Sequence, residues 1–161
     1  MRKTAVFGML NCAALMLSYL ESLLPAAPGI PGIKLGLPNL VTVLCLYRYG
    51  EKKALLVNLC RILLSALLFS GLSGFLYSVS GALLSFAVMA AGKRKTGLSI
   101  IGVSVCGGVF HNVGQLLVAM FVLQSVWIVF YLPWLLFAGC LTGTFIGLCA
   151  REVGKRLPAL S

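Results

Sequence analysis

Residues 53–95 read KALLVNLCRILLSALLFSGLSGFLYSVSGALLSFAVMAAGKRK. Between the basic residues at its two ends the stretch carries a single charge, Arg61. The small-residue break Ser70-Gly-Leu-Ser-Gly74 divides it into two apolar blocks, Lys53 to Phe69 and Phe75 to Ala91. Each block is long enough to cross the ~30 Å hydrocarbon core of a bilayer as a helix. The tight turn between them returns the chain to the side it left. The pattern predicts a transmembrane hairpin with Lys52 and Lys53 on the same side as Lys93, Arg94 and Lys95.

The flanking sequence extends this reading. Further apolar blocks run over 4–24, 37–47, 98–123 and 126–148, which gives six spans in one integral membrane domain, 1–161. The 161 residues are 60% apolar and 10% charged, where a soluble domain carries about 25% charged residues. Arg2 and Lys3 ahead of the first block resemble the start of a signal peptide. Its length, Glu21 and the lack of a small-residue cleavage site favour a retained first span. The second block is short, about 16 Å as a straight helix. Part of the preceding segment, Pro25-Ala-Ala-Pro-Gly-Ile-Pro-Gly-Ile-Lys-Leu-Gly36, is therefore expected at membrane depth, folded against protein.

Charge orients the spans. Eleven of the 13 basic residues fall at the N-terminus (Arg2, Lys3), the second-to-third turn (Arg48, Lys52, Lys53), the fourth-to-fifth turn (Lys93, Arg94, Lys95) and the tail (Arg151, Lys155, Arg156). Only Lys34 lies in an opposite loop, and Arg61 lies within a span. This asymmetry predicts both termini in the cytoplasm and residence in the plasma membrane. The net charge of +10 sits in clusters between apolar blocks, not on a stripe, so nucleic acid is not the expected partner. The lipid bilayer is. No internal repeat points to an inverted-repeat transporter.

Three constellations could bind a ligand. Arg61 lies roughly 12 Å from the near end of its helix, with Asn58 one turn earlier. A cation at that depth needs a cavity or a partner, so it is either a ligand contact or a structural Arg satisfied by backbone carbonyls or an acid. The fifth span carries Gly107-Gly-Val-Phe-His111-Asn112-Val-Gly114-Gln115, in which His111 and Gln115 share a helix face and Asn112 is adjacent. These three serve either a ligand or helix–helix hydrogen bonding. Third, in Gly32-Ile-Lys34-Leu-Gly36-Leu-Pro38-Asn39, Pro38 suits the first turn of a helix. Such an N-terminus favours an anion, with Lys34 adding to it; the other reading is an ordinary outer turn, with Glu21 pairing Lys34.

Catalytic readings find little support. The chain has three acids, Glu21, Glu51 and Glu152, and no Asp, so the Asp-rich magnesium sites of prenyl transfer cannot be built. There is no Ser-His-Asp set and no phosphate-cradling glycine loop. With one His and no suitably spaced acid, a metal site is not expected, nor is a cofactor. The six cysteines (Cys12, Cys45, Cys60, Cys106, Cys140, Cys149) stand singly in apolar runs and read as packing residues. In the first span Gly8 and Cys12, and likewise Ala14 and Ser18, are spaced i, i+4. Small residues so spaced permit close helix contact, either internally or with a partner membrane subunit.

These residues resemble a known family. The string Tyr19-Leu-Glu21, the segment Pro-Gly-Ile-Pro-Gly-Ile-Lys-Leu-Gly-Leu-Pro-Asn39, Arg61, the Phe75-Leu-Tyr77-Ser78 turn with Gly81, and the run Gly108-Val-Phe-His111-Asn112-Val-Gly114-Gln115 are similar to the Gx transporter family, also labelled heptaprenyl diphosphate synthase component I. Pro38 stands where that family has Ala. The likeness runs from about Thr4 to Leu148. It implies similarity to the substrate-binding S components of energy-coupling factor importers, six-helix proteins with both ends cytoplasmic. In those, the loop between the first two helices closes an outer-facing pocket and a small-residue face of the first helix meets a coupling subunit driven by ATPases. Carried over, the likeness implies Lys34, Asn39, Arg61, Tyr77, His111, Asn112 and Gln115 as ligand contacts, and Gly8, Cys12, Ala14 and Ser18 as the docking face. The expected function is capture of a small anionic or amphipathic, vitamin-like molecule for import. The alternative is a non-catalytic membrane accessory of heptaprenyl diphosphate or quinone synthesis.

Overall fold

A computed structural model describes the backbone of residues 2–23 and 36–156, with side chains from residue 4 onward. The Pro/Gly segment and Lys34 lie outside the described residues. Within them the chain is all helix and short turns: α1 (Arg2–Leu23), α2 (Asn39–Tyr49), α3 (Glu51–Ser65), α4 (Gly71–Ala91), α5 (Ile100–Val122) and α6 (Leu132–Arg156). Helix is the economical answer for these apolar blocks, because it satisfies every backbone N–H and C=O within the segment when no water is at hand.

Residues 53–95 do form a hairpin. The break between its arms comes earlier in the chain than the expected Ser70–Gly74 turn. After Ser65 one wide π turn, Ala66–Ser70, leads directly into α4 at Gly71. Gly71 has φ +63°, a conformation that costs a glycine little. Ser70 Oγ donates to Ser65 O at 3.0 Å, satisfying a carbonyl left over at the end of α3. The hairpin closes at its open end, where Arg94 meets Glu51 through Nε–Oε1 at 3.3 Å and Nη2–Oε2 at 2.5 Å.

The basic clusters expected on one side converge at that same end. Lys93 Nζ donates to Leu46 O at 2.6 Å and lies 5.0 Å from the Tyr47 ring centre. Tyr47 donates its hydroxyl to Leu98 O at 2.8 Å, and Arg48 donates to Gly154 O of α6. The N-terminal turns of α1 reach the same place, with Phe7 edge-on to Tyr49 at 5.3 Å and under Lys53 at 5.5 Å.

Four helical stretches are long and apolar enough to cross a membrane: Thr4–Leu23, Glu51–Thr96, Ile100–Val122 and Val126–Arg156. The second contains both arms of the hairpin and its Gly71 corner. With 11 residues, α2 falls short, as the sequence indicates. The last stretch opens with a 3-10 turn, Val126–Tyr131, before α6 starts beside Pro133 and runs on past Leu148 to Arg156. Large apolar side chains such as Trp127, Phe121 and Leu67 are about three-quarters exposed, while Ser18, Glu21, Asn58, Arg61, His111 and Gln115 are buried. That inside-out distribution suits a hydrocarbon surround.

α5 and α6 approach backbone to backbone along a glycine stripe the sequence reading passed over: Gly139, Gly143 and Gly147, spaced i, i+4, i+8. A β-carbon on Gly143 would stand 2.6 Å from the Cα of Val105, and one on Gly147 would stand 2.8 Å from the Cα of Ile101. Dispersion between closely packed backbones is what holds helices together where no hydrophobic driving force exists. Gly143→Leu should lower the thermal midpoint in detergent by about 2–10 °C, the scale of an overpacked contact in a chain of this size. Gly8→Leu, with open space around it, should leave the midpoint unchanged.

Candidate ligand site

Two apolar clusters divide the interior. One, around Val43, Leu46, Val57, Met89 and Val103, lies toward the basic end. The other holds Tyr77, Leu116, Ala119 and Leu135. Along α3, α4 and α5 the buried polar residues fall between them, and several of these line a cavity. Glu21 comes from α1, Gly36, Pro38 and Asn39 from the start of α2, Asn58 and Arg61 from α3, Ser78 and Ala82 from α4, and His111 from α5. The cavity encloses about 290 Å³ counted out to its mouth. The part a water can enter fully is on the order of one molecule.

Glu21 holds the wall between α1 and α2. Its Oε1 accepts the backbone N–H of Gly36 and, at 3.1 Å, that of Leu37. These amides precede α2, whose first turn has Pro38 at φ −62° and no side-chain cap. A carboxylate there satisfies orphan N–H groups and complements the helix dipole. Glu21 thus binds the start of α2 by its backbone, a contact that reading the acid as a partner for Lys34 does not reveal.

Arg61 is 8% exposed. Its Nη2 donates to Asn58 Oδ1 at 2.8 Å and its Nη1 to Ser18 Oγ at 3.2 Å. Its Nε is buried with no hydrogen-bond acceptor. Both acceptors are neutral, and Glu21 lines the same cavity. His111 owes its place to Gly81: a β-carbon there would lie 2.9 Å from the imidazole. A β-carbon on Gly36 would stand 3.9 Å from the other edge of the ring.

The residues expected at a ligand site thus divide. Asn39, Arg61 and His111 meet in the cavity, and Lys34 lies outside the described residues. Asn112 faces α6, donating from Nδ2 to Leu135 O at 2.9 Å. Gln115 is fully buried and Tyr77 packs in the far apolar cluster; neither lines the cavity. Tyr77 and Ser78 sit within α4, not in a turn. Ser78 and Glu21 join the lining without having been expected as contacts. Ser78, one of three serines in the apolar block 75–91, carries no signal of where it points.

The small-residue positions of α1 also divide. Ala14 and Ser18 are buried against the rest of the chain, and Ser18 is Arg61's partner. Gly8 and Cys12 are exposed. The Ala14–Ser18 pair is displaced six positions from the Gly8–Cys12 pair, which sets the two roughly 120° apart around the helix. They form two faces, not one.

Chemically the cavity offers backbone amides, amide side chains, a guanidinium and an imidazole around a single carboxylate. Groups of this kind are the hydrogen-bond donors that an oxyanion requires. Among the described residues no group of His, Cys, Asp and Glu could hold a metal ion. The fold and the cavity define a class: an all-helical, membrane-type bundle that turns its apolar side chains outward and closes a polar site inside. A family model described as heptaprenyl diphosphate synthase component I matches residues 10–153, and the chain belongs to that family. No curated protein and no solved structure matches it.

Asn112→Ala should cost about 1–2 kcal/mol of stability, the price of a buried hydrogen bond with its carbonyl left unpaired. Thermal unfolding measures this loss, and binding of a cavity ligand should be unaffected.

Proposed function

We propose that the chain is a substrate-capture subunit of a membrane importer, similar to the S components of energy-coupling factor transporters. In this reading six spans cross the plasma membrane with both termini cytoplasmic. The observation that carries it is the convergence of Arg61, His111, Asn39 and Asn58 from three helices on one cavity, in a chain with no machinery to drive transport. The gathering of the basic clusters at one end supports the orientation. The end of α1 and the start of α2, which contribute Glu21, Pro38 and Asn39 to the cavity lining, lie away from that end. The ligand carries a small anionic head group for the cavity, with its body toward the mouth. Coupling subunit and ATPases are separate partners, and the exposed Gly8 and Cys12 face of α1 is the docking surface.

A second reading is favoured by the family's description: a non-catalytic membrane component that associates with other components of heptaprenyl diphosphate synthesis. The absence of Asp from the sequence supports a non-catalytic role in that setting, since the magnesium sites of prenyl transfer need it. In this case the diphosphate of a prenyl chain is the anionic group.

Native mass spectrometry of the protein extracted from its own membrane separates these readings. Capture predicts a retained small molecule, lost tenfold or more in Arg61→Ala and in His111→Ala, since each removes a charged or charge-bearing contact. Retention unchanged in both variants refutes the site. Co-extraction of a soluble, Asp-rich prenyl synthase, with altered quinone chain length on deletion, favours the second reading.

A further inference from the structure

We propose that the cavity is an oxyanion site filled from within, in which the Glu21 carboxylate occupies the place of the ligand's own carboxylate. This rests on reading the cavity as a ligand site and specifies what it binds. Two consecutive amides, Gly36 and Leu37, converge on Glu21 Oε1 at the entrance of an 11-residue helix. Paired N–H groups at a helix N-terminus form a cradle for an anion. Nothing in that geometry requires the anion to be tethered to α1.

Arg61 supplies the second observation. Its guanidinium lines the same cavity, is more than nine-tenths buried, and leaves Nε without an acceptor. Its two hydrogen bonds go to uncharged oxygens. A buried cation so arranged leaves its Nε–H for a further oxygen. The free room of about one water is too small for a second carboxylate beside Glu21. An incoming oxyanion therefore displaces Glu21 from the two amides.

Displacement has a mechanical result. Glu21 and Ser18 stand one turn apart on α1, one holding the start of α2 and the other holding Arg61. A ligand that takes both partners loosens α1 from the bundle. The outward face of the same helix carries Gly8 and Cys12, so occupancy of the cavity is reported on the outside by the position of α1.

The test uses acetate as probe. Glu21→Ala, reconstituted in lipid nanodiscs, is melted in sodium acetate and in sodium chloride at equal ionic strength. In chloride it should melt about 5 °C below the parent, the scale set by losing hydrogen bonds to a buried charge. Acetate should restore most of that loss, while the neutral isostere acetamide should not. The parent, already filled, should gain nothing. Should Glu21→Ala fail to fold, Glu21→Gln takes its place. Its Gly36 and Leu37 amide resonances should shift with acetate and not with chloride. No effect of acetate beyond chloride, or an equal effect of acetamide, overturns the proposal. Acetate rescue without any retained native ligand would leave the anion site standing and remove the capture role. A retained ligand without an acetate response would do the reverse.

Discussion

A guanidinium held deep in an apolar helix has to be solvated by the protein, and much of the interior follows from that requirement. Even permissive insertion scales charge at least ~2.5 kcal/mol for Arg at the centre of a span. Arg61 meets this with Asn58 from its own helix, Ser18 from α1 and a cavity shared with Glu21 and His111. Each of those groups is polar and must itself be placed. Glu21 is spent on the amides before α2, and His111 is seated on Gly81. The polar layer is thus a connected set, bounded above and below by the two apolar clusters.

The packing that surrounds this layer is of another kind. α5 meets α6 through glycines that let backbones touch, and Gly114 brings α5 equally close to α4. Bare backbone contact leaves little freedom to slide. A wall of α4, α5 and α6 therefore stands behind His111, while the opposite wall, α1 and the start of α2, joins the hydrogen bonds of Glu21 and Ser18 to side-chain packing by Ala14, Leu17 and the Tyr19–Phe69 ring pair. The α1 side thus lacks the backbone-to-backbone contact of the glycine stripes.

Much of the architecture was legible in the sequence. The charge clusters located one end, the apolar blocks located five helices to within about four residues, and the shortness of Leu37–Tyr47 survives in α2, whereas α6 starts six residues later and ends eight residues beyond the 126–148 block. The Ser70–Gly74 turn was placed too late: the break is the π turn Ala66–Ser70 and Gly71 at positive φ, and Gly71–Gly74 already belong to α4. The site was half legible. Arg61 and His111 announce themselves by being costly at membrane depth. Asn112 and Gln115 share that cost but satisfy it elsewhere, Asn112 against a carbonyl of α6. A serine such as Ser78 gives no sign, because it hydrogen-bonds within a helix as readily as across one. Spacing alone assigned Gly8, Cys12, Ala14 and Ser18 to one face, and the six-residue step between the pairs set them on different sides.

The central claim is that Arg61 is kept for a ligand and not for stability. Arg61→Met keeps the length and apolar stem of the side chain and removes the charge, so melting it in lipid nanodiscs tests the claim directly. Removing one charge costs about 3–5 kcal/mol when it leaves a buried partner charge unpaired, but here both acceptors of Arg61 are neutral and Glu21 keeps the amides of Gly36 and Leu37. The account predicts a midpoint equal to or above that of the parent. A midpoint many degrees lower would show that the guanidinium holds the bundle together, and would contradict it.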